Sequence, residues 1–167
     1  MLYLLDADTL IRADRTYYPL KRFPVFWEWL LYHADVGNVK IPQEQYDEVV
    51  AGKGELVDWV SDKKKKDLLL LPGIVDPVLV SQVIEQGYAP DLDETELQTV
   101  GKDPFLIAYG LVSISDRTIV SFEVSAPAKQ RANKKVPDVC AGFGLKCITM
   151  FDLINALDFT TNWTPPK

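Results

Sequence analysis

The sequence predicts an α/β protein, a three-layer α/β/α sandwich with a mostly parallel central sheet. Short apolar runs that suit strands alternate with longer stretches that suit helices along the whole chain. The first run, residues 2–5, contains no charged residue, which is typical of a strand covered on both faces. The 167 residues contain no internal repeat and no long linker, so we expect one domain spanning residues 1–167.

The first half of the chain begins with a strand over residues 2–5. A helix then starts near Asp8 or Thr9, and either side chain could cap it. Residues 24–34 predict a helix with one apolar face, which ends around Gly37. The remaining predicted elements of this half are a strand at 38–42, a helix at 42–52, a polar helix at 54–68 and a strand or extended arm at 68–72.

The second half contains the clearest later strand, residues 117–123, which is rich in β-branched residues and ends in Glu123. A polar loop at 124–135 follows it. The other predicted elements are helices at 76–87, 92–100, 103–112, 136–144 and 151–157, and a last strand at 146–150. Helices that connect successive strands in this way favour a parallel sheet.

The overall charge of −6 argues against strong nonspecific binding of nucleic acid through a basic surface. A metal ion and a local basic strip could still offset the acidic groups. Cys140 and Cys147 lack the spacing of a zinc site, and His33 lies far from them in the sequence. A disulfide between them stays open, but two cysteines suit a reducing cytosol. The absence of a signal peptide and of a membrane span predicts a cytoplasmic protein.

Four acidic residues occupy positions where a parallel sheet places ligands. Asp6 ends the first strand and Glu123 ends a later one, while Asp103 begins an apolar helix and Glu48 lies on the helix after the second strand. We expect them to meet at the carboxyl edge of the sheet. Two carboxylates about 4 Å apart repel by roughly 4 kcal/mol at an effective dielectric of about 20. Such a group suits Mg²⁺ or Mn²⁺, which can orient a phosphate and activate water.

Each acid also has a structural interpretation that the pattern alone leaves open. Asp6 could cap the next helix, and Asp103 could cap its own. Glu48, with Glu44 one turn before it, could form a solvated helix face, and Glu123 could be an ordinary loop residue. Asp138 could start a helix or act as an outer ligand.

Several stretches together resemble the PIN domain, the nuclease fold of many toxins in toxin–antitoxin pairs, and in particular a little-characterised PIN subfamily. These stretches are "YLLDADTLI", "YYPLKRFPVFWEWL", "IPQEQYDEV", "KDPFLIAYG", "TIVSFE" and "KKVPDVCAGFGLKCITMFDLI". The likeness covers about residues 2–157. It implies a PIN-like domain in which Asp6 is the principal metal ligand with Asp8 nearby. The other acids that it places in the site are Glu48 rather than Glu44, Asp103 and Glu123, with Ser121 beside them.

The resemblance implies a Mg²⁺- or Mn²⁺-dependent ribonuclease, and we expect an endoribonuclease that acts as the toxin of a type II toxin–antitoxin system. Its partners would be an RNA substrate, a cognate antitoxin protein and a second copy of the chain, with no membrane. Ser121 stands where the family usually has threonine, which keeps the hydroxyl. Asp8 stands where asparagine is common, which adds a charge.

Two other functions stay open. The Asp6-Ala-Asp8-Thr9 run fits the Asp-x-Asp-x-Thr signature of haloacid-dehalogenase-type phosphatases, in which Asp6 would be a nucleophile and Asp8 an acid/base. The downstream lysine and acids of that family have no clear counterpart in this sequence. The chain could also be a non-catalytic PIN module that binds RNA or protein.

Basic and aromatic residues offer candidate RNA contacts. The loop after Glu123 contains Lys129, Arg131, Lys134 and Lys135, which could contact phosphates. The four lysines at 63–66 favour a solvated helix end over an RNA strip. Aromatic side chains could stack on bases, although a core or interface role is commoner. These aromatic residues are Tyr17, Tyr18, Trp27 and Trp29.

Overall fold

The computed structural model describes residues 1–166 and has a four-stranded, all-parallel sheet at its centre. The strands lie in the order β2-β1-β3-β4. They are β1 (Leu2–Leu5), β2 (Val39–Lys40), β3 (Arg117–Val120) and β4 (Cys147–Ile148). The α/β class and the parallel sheet are therefore confirmed.

The α-helices of the described residues connect these strands and follow the last one. In the first half they are α1 (Ala7–Arg12), α2 (Pro24–Asp35), α3 (Gln43–Val50), α4 (Glu55–Ser61) and α5 (Lys63–Leu69). In the second half they are α6 (Pro77–Gln82), α7 (Glu94–Val100), α8 (Asp103–Leu111), α9 (Val136–Gly142) and α10 (Met150–Ala156). None of the helices in residues 1–166 is long and apolar enough to cross a bilayer.

Two apolar cores lie on opposite faces of the sheet because neighbouring residues of a strand point in opposite directions. Leu5 and Val120 belong to one core, which also contains much of α2. Leu4 and Ile119 belong to the other, together with residues of α8 and α9. The predicted three-layer arrangement follows from these two buried faces.

The register of the two central strands determines which residues meet at the carboxyl edge. Leu5 pairs with Val120, so Asp6 and Ser121 leave neighbouring strands side by side. The Asp6 amide donates to the Val120 carbonyl at 3.0 Å, which extends the ladder by one residue. Thr9 donates its hydroxyl to the same carbonyl at 3.0 Å and ties the start of α1 to this edge.

Several predicted boundaries are wrong. Helix α1 begins at Ala7, so Asp6 and not Asp8 or Thr9 occupies the N-cap position. The predicted helix at 54–68 is two helices, because Asp62 interrupts it and caps α5 by accepting from the Lys65 amide.

Other differences concern the sheet and the thiols. Strand β3 ends at Val120, three residues before Glu123. The run at 68–72, predicted as a strand or an extended arm, contributes a single bridge between Ile41 and Leu70, and its first two residues belong to α5. Cys140 and Cys147 are free thiols, so the disulfide that the sequence left open is not formed.

Two helical stretches widen into π-turns, a rare geometry that often occurs at functional sites. The first, Ala13–Tyr17, continues α1. The second, Val83–Tyr88, continues α6 and packs against α8 and α9. Each ends in a tyrosine. A short 3₁₀ turn, Arg131–Asn133, lies in the loop before α9.

Candidate metal centre

Asp6 is the most deeply buried of the predicted site acids, with a relative exposure of 7%. Although it occupies the N-cap position of α1, its side chain makes no capping hydrogen bond. Its carboxylate instead accepts from the Ser121 hydroxyl at 2.8 Å. The structural interpretation of Asp6 as a capping side chain is therefore wrong, and the charge is directed to the sheet edge.

Glu123 reaches the same edge through the extended segment that follows β3. Its amide donates to the Ser121 hydroxyl at 3.2 Å, which links it to Asp6. Its two carboxylate oxygens accept from Lys135 Nζ at 2.9 Å and from the Val136 amide at 2.8 Å. Glu123 is thus fixed by two consecutive residues at the junction of the loop and α9.

Asp103 begins α8 and lies half-buried beside the other acids. Lys102 and not Asp103 occupies the N-cap position of this helix. Burial, and after it the charges of Asp6, Glu123 and Glu48, raise the pKa of Asp103 from its usual 3.8 to about 8, whereas Lys135 opposes the rise. A carboxyl group in that environment holds its proton at neutral pH unless a cation takes its place.

The pKa of Asp6 responds to the same neighbours. Burial, together with the charges of Glu48, Asp8 and Glu123, raises it from its usual 3.8 to about 6 against the lowering effect of the Ser121 hydrogen bond. Burial also raises the pKa of Glu48, and Asp8 adds to this effect while Lys102 opposes it. The acids that follow β1, lie on α3 and α8 and follow β3 therefore interact electrostatically.

Glu48 and Glu44 lie on the same helix but face different surroundings. Glu48 stands at the exposed rim of the acid cluster and acts on Asp6 and Asp103. Glu44 acts on Tyr109, whose pKa is raised by burial and by the Glu44 charge. The choice of Glu48 over Glu44 is consistent with these positions.

Asp8 lies at the edge of the cluster and has a cation of its own. Arg12 Nε lies 2.6 Å from an Asp8 carboxylate oxygen, one helical turn away. Both side chains are substantially exposed. Asp8 therefore contributes charge near Asp6, but its carboxylate is already engaged.

The donor set suits a hard divalent cation in its chemistry. In residues 1–166, however, no group of three or more His, Cys, Asp or Glu side chains is placed so that it could hold a metal ion as it stands. Mg²⁺ does not require such a cage, because it keeps several waters and uses one or two carboxylates together with substrate phosphates. The buried Asp6 and the half-buried Asp103, which repel each other, fit that mode of binding.

The basic loop residues are mostly engaged within the protein. Arg131 pairs with Asp91 and with Glu96, each at 2.7 Å, and Lys134 donates to the Gly87 carbonyl at 2.8 Å. Lys135 is held by Glu123, which leaves Lys129 as an exposed candidate for phosphate contact.

Asp138 lies in the first turn of α9, where the sequence allowed a helix-start role. It accepts hydrogen bonds from the Ser125 hydroxyl and, at 2.7 Å, from the Ala126 amide. It therefore holds the loop after β3 against α9.

The four candidate stacking residues have different environments. Trp27 and Trp29 are buried in the core. Tyr18 stacks on Phe26, with ring centroids 4.3 Å apart. Tyr17 is 40% exposed. The core interpretation is confirmed for the tryptophans, and Tyr17, which stacks on Phe122 with ring centroids 5.4 Å apart, has the most exposed ring of the four.

Sequence reasoning missed two buried polar residues beside the acids. Gln45, fully buried, donates its side-chain amide to the Lys102 carbonyl at 3.0 Å and so holds the backbone just before Asp103. Tyr88 is buried beneath α8 and α9. Gln45 lies within the stretch "IPQEQYDEV" but has no role assigned to it there, and Tyr88 lies outside the quoted stretches, so only through-space packing identifies them.

Comparison with known proteins identifies a family but no activity. A family model described as a domain of unknown function (DUF4411) matches residues 3–161, nearly the whole chain. No curated protein and no solved structure matches this chain.

Proposed function

This chain belongs to the DUF4411 family, and we propose that it is a Mg²⁺- or Mn²⁺-dependent ribonuclease, an endonuclease that hydrolyses RNA phosphodiesters. The observation that carries the proposal is the convergence of Asp6, Asp103 and Glu123 from separate segments of the chain. Burial and mutual repulsion raise the pKa of Asp6 to about 6 and that of Asp103 to about 8. Such repulsion between carboxylates destabilises the folded state, whereas a bound cation would relieve it.

Each acidic residue has its own role in the proposed site. Asp6 and Asp103 would hold the cation, with the Ser121 hydroxyl orienting the Asp6 carboxylate. Glu48 at the rim and Glu123 at the sheet edge would complete the negative site. A divalent cation bound here would polarise the scissile phosphate and lower the pKa of the attacking water.

Lys135 supplies positive charge within the site. Its ammonium group bonds to Glu123 and lowers the pKa of Asp103. It could also attract an RNA phosphate to the sheet edge. Cation binding must displace the proton from Asp103, so the metal affinity should rise with pH across the range around 8.

The test is cleavage of a fluorescent single-stranded RNA pool by the purified chain, with and without Mg²⁺ or Mn²⁺. We expect activity that needs the metal and falls at least about 100-fold in Asp6→Asn and Asp103→Asn, the scale expected when a transition-state interaction is lost. Glu48→Gln should reduce activity, while its matched control on the same helix, Glu44→Gln, should retain it. Full activity in both aspartate variants would refute the proposal.

The same protein tests the phosphatase alternative. A phosphoryl group trapped on Asp6 during turnover of a small phosphate ester would favour that chemistry over RNA hydrolysis. The structure gives an argument against it, because the Asp8 carboxylate, which would serve as acid/base, is paired with Arg12 at 2.6 Å. Wild-type binding of RNA without cleavage, and without Mn²⁺ binding, would instead favour the non-catalytic module.

The toxin role is a further part of the proposal, drawn from the PIN resemblance. Its test is growth arrest on induced expression, relieved by the Asp6→Asn variant or by a protein encoded beside this gene. Undiminished arrest by the inactive variant would separate toxicity from RNA hydrolysis.

A further inference from the structure

Tyr88 carries a buried hydroxyl for which the structure provides no partner. The side chain is 4% exposed, and its hydroxyl oxygen finds no hydrogen-bond partner among residues 1–166. A buried hydroxyl left unpaired is costly to the folded protein, and such groups are rare in native structures. The residue therefore needs a functional explanation.

The local backbone geometry positions this hydroxyl. Tyr88 ends the π-turn Val83–Tyr88, whose extra residue per turn shifts the side chains that follow α6. The preceding Gly87 lets the turn approach α9 closely, because a Cβ there would lie 2.7 Å from Val139 Cγ1. Lys134 donates to the Gly87 carbonyl at 2.8 Å and ties the turn to the loop before α9.

The ring is packed between the two helices that bring acids to the site. It shares an apolar cluster with Leu106 and Ile107 of α8 and with Val136 and Val139 of α9. Asp103 begins α8 and Glu123 bonds to the first amide of α9, so each of these two helices has an acid of the site at its start.

The charges agree with that position. Burial raises the pKa of the Tyr88 hydroxyl, and the nearby charges of Asp103 and Glu123 raise it further. The hydroxyl therefore stays protonated and is available as a hydrogen-bond donor.

We propose that Tyr88 is a positioning residue of the cation site, whose hydroxyl donates to the Asp103 carboxylate when a divalent cation is bound. The inference rests on the proposed metal site and names a residue that no sequence motif indicates. A hydrogen bond from a neutral donor to an ionised carboxylate is shorter and stronger than one to a neutral group. Tyr88 would thus exchange an unpaired hydroxyl in the metal-free protein for a strong bond in the loaded one.

The test is Tyr88→Phe, which removes only the hydroxyl, measured without RNA. We expect the metal-free variant to melt at the wild-type temperature or about 2–4 °C above it, because an unpaired buried group is removed. We expect its Kd for Mn²⁺, measured by calorimetry, to rise about 10-fold, as for other residues that orient ligands. Tyr109→Phe is the matched control, since its hydroxyl contacts the Gly73 carbonyl at 3.4 Å, and it should keep the wild-type Kd.

The outcomes separate this inference from the function on which it rests. Wild-type protein that binds no Mn²⁺ overturns both the metal site and the role of Tyr88. Wild-type binding with an unchanged Kd in Tyr88→Phe overturns the positioning role alone. A metal-free Tyr88→Phe protein that melts well below wild type would show that the hydroxyl has a structural partner, which also overturns it.

Discussion

Replacing Asp6 by asparagine should stabilise the metal-free protein while abolishing its activity. The substitution keeps the shape and an acceptor for the Ser121 hydroxyl but removes the negative charge. Because the pKa of Asp6 is raised in the fold, the native state binds a proton more tightly than the unfolded state does. Wild-type stability should therefore fall as pH rises from about 4 to 6, and this loss should be complete above the folded pKa of about 6.

The size of the effect follows from that pKa. A rise from 3.8 to about 6 corresponds to about 3 kcal/mol, at about 1.4 kcal/mol per pKa unit. The gain of Asp6→Asn over wild type should be smallest near pH 4, where both side chains are neutral. It should grow to about 3 kcal/mol at pH 8. Loss of the Asp6 charge should also lower the pKa of Asp103, which acts in the same direction.

The assay is urea unfolding followed by circular dichroism from pH 4 to 8 in the presence of a chelator. Asp62→Asn is the matched control, because Asp62 is an aspartate that does cap its helix and its pKa is lowered by the Lys65 amide. That variant should lose stability at neutral pH. An Asp6→Asn protein that is less stable than wild type at pH 8, or whose advantage does not change with pH, would refute the electrostatic reasoning.

Three further predictions concern residues around the acids. Ser121→Ala should raise the pKa of Asp6 further, since the hydroxyl lowers it, and should move the onset of metal binding to higher pH in a Mn²⁺ titration. Gly87→Ala should destabilise the protein by about 1–3 kcal/mol in urea unfolding, because its Cβ would clash with α9. Lys135→Met should free Glu123 and raise the pKa of Asp103, which should shift the pH–activity profile to higher pH.

Each of these three variants has a matched control variant. Ser121→Thr keeps the hydroxyl and should behave as wild type. Gly142→Ala meets nothing within 4 Å and should be neutral or slightly stabilising, as alanine is preferred to glycine in a helix. Lys129→Met removes an exposed charge from the same loop as Lys135 and should leave the pH profile in place. Equal effects of either lysine substitution would contradict the specific role of Lys135.

Local sequence patterns were sufficient for much of the fold. Both central strands were predicted from such patterns, the first from the apolar run over residues 2–5 and the other from the β-branched run that begins at Arg117. A buried strand can be predicted in this way because it consists of consecutive apolar residues. The acids that follow them were found for the same reason. The boundaries of helices were predicted less accurately. The pattern over residues 54–68 indicates one helix, but Asp62 interrupts it because its side chain accepts a hydrogen bond from the backbone.

The sequence by itself determined the order of strands and helices and the presence of acids after the strands, because hydrophobic periodicity and strand ends are local properties. Only the tertiary structure decided which charges meet. Lys135, one of four candidates for RNA contact in the sequence, lies against Glu123, and Asp138 holds a loop. Tyr88 is buried in the apolar cluster of α8 and α9, and the charges of Asp103 and Glu123 raise the pKa of its hydroxyl. Such relations depend on how helices pack across the sheet, and the forces between charges act through space rather than along the sequence.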